Sequence, residues 1–444
     1  MKQTNLQGLQ QLQQLIRALV LFAMIPAVSP VGASTNFTLK ADATTKLAYD
    51  SNVYLQDTSP NLVVVPRAVG PFQSSFVLSA TPRLMLDYKS SPAFWASLNY
   101  APEFAWYEAE SSENYIANRG AINFGGCSGD VTWDCVNTFN FVIGSTEGVY
   151  FGGPPLAPTT ITGGNAPAIG GIPIRDRREQ FVYRGAIRAT WKFTENLFLR
   201  PSFTAYTHNF LTVQKLNIVG SPDYGYENYV DRGEFTFGFD LGWAVTSEVR
   251  PYVGFRFGRE TEGQMVGSSY HYDARVYRPQ VGIEGQPAKW LKTTFTIGPD
   301  IHVTTSAYAP GFDPDYTTLW VDGAVTFLPT AQDSIALVWR QNTQPAFASP
   351  SVYDDVVYEI IARHCFVHSW SVSSGFRVHN GDWMPPVTRN DWIYTPGLNV
   401  TYSPGSQLIL ELGYAYDWTD STVPNTAGRE FTRHLVWLSA KYTF

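Results

Sequence analysis

The sequence predicts an all-β chain, a transmembrane antiparallel up-and-down β-barrel of about sixteen strands preceded by a cleaved signal peptide. Three observations point there. Charges are few and aromatics many, yet no helical span is present; apolar residues recur at every second position over long runs; and the connections between runs alternate between short and long.

Charged residues make up 16% and aromatic residues 15% of the chain, against about 25% charged in ordinary soluble domains. A mean hydropathy of −0.14 is too polar for a helical membrane protein. Past the N-terminus, no apolar stretch approaches the ~18 residues that a spanning helix needs. The 36 glycines and 29 prolines are too few for a collagen-like or low-complexity chain. A net charge of −7 argues against nucleic acid as a partner.

Residues 1–33 read as a secretory leader. Lys2 and Arg17 supply a weakly positive start, residues 18–28 an apolar core too short to span a bilayer, and Val31, Gly32 and Ala33 a small-residue cleavage site. Cysteine usage fits export. Cys127 and Cys135 sit in a Gly-rich stretch, where an oxidising compartment predicts a disulfide clipping a loop. Cys365, flanked by His364 and His368, lacks a fourth ligand for zinc, so neither a metal nor any other cofactor is expected.

From about residue 40 the apolar pattern has period two. In 234–246, Phe235, Phe237, Phe239, Leu241, Trp243 and Val245 alternate with Thr236, Gly238, Asp240, Gly242 and Ala244. Residues 196–208, 291–303 and 407–418 behave alike. Such runs reach 12 to 15 residues, beyond the five or six of typical soluble strands, and suit tilted strands crossing a bilayer. The segments 89–92, 194–195, 247–248, 286–289, 329–332, 363–366 and 404–406 are short turns, and the remaining connections are longer. A soluble sandwich or propeller is the alternative. Alternation alone does not exclude it; strand length, the leader and the loop pattern favour the barrel. Pro82, Pro102, Pro201, Pro251, Pro279, Pro299 and Pro396 fall inside strands on the apolar side, each lacking a ladder donor.

The last strand ends with Val436, Leu438, Ala440, Tyr442 and Phe444 on one face. This closing aromatic strand resembles the signature read by the barrel-assembly machinery of bacterial outer membranes, with Tyr442 and Phe444 as the signal. At the other end, Tyr49, Asp50, Ser51, Asn52 and Val53 match the opening strand of the β-barrel porin-2 type families. The resemblance implies a channel-forming or export-associated barrel in the outer membrane of a Gram-negative bacterium, surrounded by outer-membrane lipid. A homotrimer would suit sixteen strands, although no segment marks an interface.

If the apolar face meets lipid, parity turns Arg184, Arg188, Arg200, Asp240, Arg250, Arg256, Asp300, Asp322, Arg340, Glu359, Arg377, Glu411 and Arg433 towards the lumen. Charges there are solvated, whereas on the lipid face basic residues would cost about 2–4 kcal/mol each near the midplane. They either orient passing solutes or pair across strands to stiffen the wall. The expected function is passive diffusion of small hydrophilic solutes or ions; the alternative is export of a polysaccharide stacked on the inward Trp95, Tyr206 and Trp320. Residues 108–177 read as one long loop able to constrict the lumen. No catalytic motif is present: Ser373, His302 and His379 lie on strands without a nucleophile elbow or a metal-binding helix, so no enzyme is expected.

Overall fold

The computed structural model describes residues 36–53, 55, 73–91, 93–144, 178–211, 230–246, 248–264, 269–345, 352–366, 369–385, 389–422 and 430–444. The expected leader at 1–33, the Gly/Pro-rich segments 148–155 and 162–173, and His368 lie outside these residues.

Among the described residues the chain forms eighteen strands. The first six are β1 (Phe37–Asp50), β2 (Ser75–Ser91), β3 (Phe94–Tyr107), β4 (Tyr115–Ser128), β5 (Val131–Gly144) and β6 (Arg178–Lys192). Next come β7 (Leu197–Phe210), β8 (Arg232–Trp243), β9 (Val249–Glu262), β10 (Asp273–Ala288), β11 (Leu291–Thr304) and β12 (Asp315–Phe327). The wall is completed by β13 (Asp333–Pro345), β14 (Val352–Cys365), β15 (Trp370–Trp383), β16 (Asn390–Tyr402), β17 (Leu408–Ser421) and β18 (Thr432–Thr443). Each strand pairs antiparallel with its chain neighbours, and β18 pairs with β1 to close the barrel. Closure removes the two free edges an open sheet would expose.

Eighteen strands stand where sixteen were expected, and one hairpin makes the difference. β4 and β5 belong to the wall, inside the segment read as a loop at 108–177. Their outward positions include Asn118, Gly120, Gly126 and Asn137, which break the apolar alternation that marks the other strands. The Asn137 amide is satisfied along the wall: its oxygen accepts from the Tyr183 hydroxyl at 2.8 Å, and its nitrogen donates to the Ile122 carbonyl at 3.0 Å. The true turn follows at Gly129, whose φ of +56° is left-handed and favours glycine.

This hairpin also overturns the predicted disulfide. Cys127 lies opposite Thr132 and Cys135 opposite Phe124, an offset of odd length, so the two side chains project from opposite faces. No disulfide joins them. Cys365 and His364 are adjacent strand residues and face opposite ways.

The strand prolines have a positional logic. Pro82 faces Pro102, and the β2–β3 register is interrupted there; Pro279 faces Pro299, where the β10–β11 register is interrupted in the same way. Two missing donors thus share one break in the ladder. Further gaps fall beside Pro201 and Pro396.

The seam between β1 and β18 is clasped by the run that opens the barrel. Asn52 is fully buried: its backbone N–H donates to Asp50 Oδ1 at 2.9 Å, and its amide to the Thr432 carbonyl at 3.0 Å. Ser51 Oγ accepts from the His434 N–H at 2.7 Å, and Asp50 lies 3.8 Å from Arg433. At the opposite end, the Phe444 N–H donates to the Ala41 carbonyl at 3.0 Å, and the exposed ring of Phe444 packs edge-on against Tyr442.

The outer surface is apolar along its length. Phe237 on β8, Leu412 on β17 and Leu438 on β18 are 51%, 55% and 56% exposed. Asp240, on the opposite face of β8 from Phe237, is 2% exposed. Aromatic pairs gather at the short-turn end, among them Tyr88–Phe94, Trp191–Phe193, Trp290–Phe327 and Trp370–Tyr402. Others, including Tyr49–Phe76, Phe104–Trp106 and Tyr394–Trp418, sit towards the long-loop end. An apolar band thus lies between two belts of aromatic residues.

Replacing Asn52 by Ala should destabilise the barrel by about 1–3 kcal/mol, because the Thr432 carbonyl loses its buried donor; urea unfolding of the folded barrel measures this. Unfolding without reductant should expose both Cys127 and Cys135 to a maleimide, where a disulfide-linked pair would stay unlabelled.

Candidate functional site

Side chains that bridge strands not adjacent in the wall identify its inner face, since such contacts run through the interior. Arg200 on β7 reaches Glu284 on β10, with Nη1 to Oε1 at 2.9 Å. The Tyr252 hydroxyl on β9 lies 2.5 Å from Thr296 on β11. Arg232 on β8 donates to the Pro345 carbonyl at the end of β13, bridging the long-loop end of the lumen.

The inner face is built from ion-pair struts. On β7–β10 a chain alternates in sign: Arg250, Glu284, Arg200, Asp240 and Arg256, with contacts of 3.2, 2.9, 2.9 and 2.8 Å in that order. Arg200 is buried, and its guanidinium also lies 4.8 Å from the centre of the Tyr252 ring. Nearer the long-loop end, Arg278 holds Asp300 in a bidentate pair at 3.0 Å and lies 4.7 Å over Trp320. Beside it the fully buried His302 places Nδ1 3.0 Å from the Tyr272 hydroxyl and Nε2 3.2 Å from Asp300.

On the other side, Arg433 donates to Asp417 at 2.8 Å, Asp417 accepts from Thr395 at 2.6 Å, and Thr395 accepts from Arg377 at 3.3 Å. Glu359 is the register partner of Arg377, and Asp322 of Arg340. Glu411 accepts from the Trp437 indole at 2.8 Å. Arg188 meets Asp134 at 3.2 Å on a largely exposed stretch, and Arg184 lies 4.9 Å from the Tyr206 ring centre.

The thirteen residues predicted from parity therefore sit on inward positions, but most are engaged in pairs rather than free. Two of the ion-pair partners, Arg278 and Glu284 on β10, are absent from the predicted set. The same every-second-residue count on β10 would have found them, because Arg278, Gln280, Gly282 and Glu284 alternate with Pro279, Val281 and Ile283. Arg119, which pairs with Glu103, lies in the hairpin whose sequence reads as a loop. Ser373 and His379 stand six residues apart on β15, about 20 Å along an extended strand, so they form no catalytic pair. His379 Nε2 instead lies 2.5 Å from Asp355.

No protein-family model matches the chain, and no curated protein matches it. Among solved structures it is similar to the outer membrane protein OpdK from Pseudomonas aeruginosa, at 10% identity and a TM-score of 0.43, covering 92% of this chain and 99% of that one. OccK2 (OpdF) from Pseudomonas aeruginosa gives 9% and 0.45, covering 91% and 98%. The FrpB iron transporter from Neisseria meningitidis (F3-3 variant) gives 8% and 0.45, covering 94% and 82%. At such identities and scores these structures assign no function to this chain.

Arg200→Ala should cost about 3–5 kcal/mol of stability, because the buried Asp240 and the partly buried Glu284 lose the cation between them. Arg188→Ala, at an exposed pair, should cost under about 1 kcal/mol. Parallel urea unfolding of the two variants checks the contrast.

Proposed function

We propose that the chain is an outer-membrane channel that passes small hydrophilic solutes or ions passively through a polar, arginine-rich lumen. The observation that carries this reading is the division of faces: apolar and aromatic residues cover the outside, and paired charges line the inside. A soluble protein of this size would bury its apolar face and show its charges. An eighteen-stranded closed barrel is wide enough for an aqueous passage, in which ionic side chains keep contact with water.

The polysaccharide-export reading requires bare aromatic faces for sugar rings. Tyr206 and Trp320 instead carry the guanidinium groups of Arg184 and Arg278 over their rings. Trp95 lies against the wall at Gly125, where an added Cβ would collide with its ring. This coverage favours passage of solutes handled by charge over passage of a stacked chain.

The purified mature chain, reconstituted in a planar bilayer, should conduct in plain salt without added sugar; silence under all salt conditions overturns the reading. Spin labels at 240, 256 and 411 should be quenched by a water-soluble agent in preference to a lipid-soluble one. Arg232→Ala, which removes the bridge to Pro345, should raise single-channel conductance.

A further inference from the structure

At the short-turn end of the inner wall, the ends of β6, β7, β8 and β9 surround a cavity of about 410 Å³. That volume falls within the range of small-molecule sites, ~300–1,000 Å³. Lys192 and Arg250 bring positive charge to its lining, Thr190, Thr246 and Asn196 bring hydroxyl and amide donors, and Phe198 brings an apolar ring. Glu195, in the β6–β7 turn, is the one carboxylate among these lining residues.

The local sequence explains why this space exists. Phe198 is buried against Gly242, where any Cβ would collide with its ring. The tight turns after β6 and β8 bring Lys192 and Arg250 to the same rim, on inward positions of their strands.

Charge decides what the cavity attracts. The ion-pair chain on β7–β10 begins and ends on arginine, with three guanidinium groups sharing the carboxylates of Glu284 and Asp240. Arg250 is the terminal member. Its Nε lies 3.2 Å from Glu284, and 46% of its side chain is exposed. The exposed Lys192 forms no ion pair among the described residues. Further up the same inner face of β6 stand Arg188, paired with Asp134 of β5, and Arg184, with no carboxylate on the inward positions of β6 itself. With Lys192 and Arg250 set against the single carboxylate Glu195, the lining carries a net positive charge, which concentrates counter-ions.

We propose that this cavity binds a small oxyanion, a carboxylate or phosphate group held between Lys192 and Arg250. The guanidinium offers a planar pair of donors and the ammonium a mobile point charge, the two standard partners of such groups. The proposal rests on the channel reading in one respect, that the lumen is the route by which a solute reaches the cavity, and β6 supplies a cationic track leading to it. Glu195 opposes the anion and limits its affinity.

The test is isothermal titration of the folded, detergent-solubilised barrel with inorganic phosphate and with succinate at fixed ionic strength. Saturable binding of either anion is expected. Lys192→Gln should weaken it, and the double variant Lys192→Gln with Arg250→Gln should weaken it by roughly tenfold or more. Glu195→Gln should tighten it, the opposite of what a cation site would show. Lys292→Gln, which removes an inward charge on β11 away from the cavity, should leave binding unchanged. Because Lys192 holds no ion pair among the described residues, its replacement leaves the wall's struts intact, and retained heat-modifiable mobility checks folding. Absence of saturable binding in the unaltered protein, or an equal loss in Lys292→Gln, overturns the proposal. Conductance of the same preparation separates the two readings: binding without conduction overturns the channel and leaves the site, and conduction without binding does the reverse.

Discussion

Hydrogen bonding of the backbone governs this structure. In hydrocarbon an unpaired N–H or C=O costs several kcal/mol, so a sheet can cross only if its first and last strands meet. Here β1 pairs with β18 from Asp42–Thr443 to Asp50–Leu435. The residues around that seam are devoted to it. Asn52 and Ser51 bond across to the chain at Thr432 and His434, and Asp50 approaches Arg433. The run from Tyr49 to Val53 therefore has a structural explanation independent of any family: it clasps the joint between the ends of the wall.

Once closed, the pleat divides the protein into two surfaces with opposite demands. Outward positions need carbon, and where polarity occurs it is neutralised laterally, as Asn137 is by Tyr183 and the Ile122 carbonyl. Inward positions admit charge, but where neighbouring side chains bury one another, as around Asp240, an unpaired charge is costly. The response is alternation of sign. Arg200 serves two carboxylates, Asp240 serves two arginines, and the run ends on arginines, with Arg250 facing the short-turn mouth. Wall stiffness and an electropositive rim thus arise from the same residues.

Prolines and glycines are placed by the same geometry. Facing pairs such as Pro82–Pro102 and Pro279–Pro299 confine two lost donors to one interruption of the ladder. Gly242 leaves room for the Phe198 ring against the inner wall, beside the cavity that Lys192 and Arg250 line. Neither arrangement is visible from composition, because both depend on which residues stand opposite one another.

Period-two alternation was legible wherever a strand had a continuous apolar side, as on β8 with Phe235, Phe237, Phe239 and Leu241. It assigned inward residues such as Asp240 and Arg433 without a structure, because every second side chain shares a face. It failed on β4 and β5, whose outward Asn118, Gly120, Gly126 and Asn137 erase the apolar signal, and the predicted Cys127–Cys135 link fell with it. Local pattern determines the face on which a side chain lies. Register and closure decide what it meets there, because the partners of Arg200 on β8 and β10, and of Asn52 across the seam, are brought near only when distant segments of the chain pair.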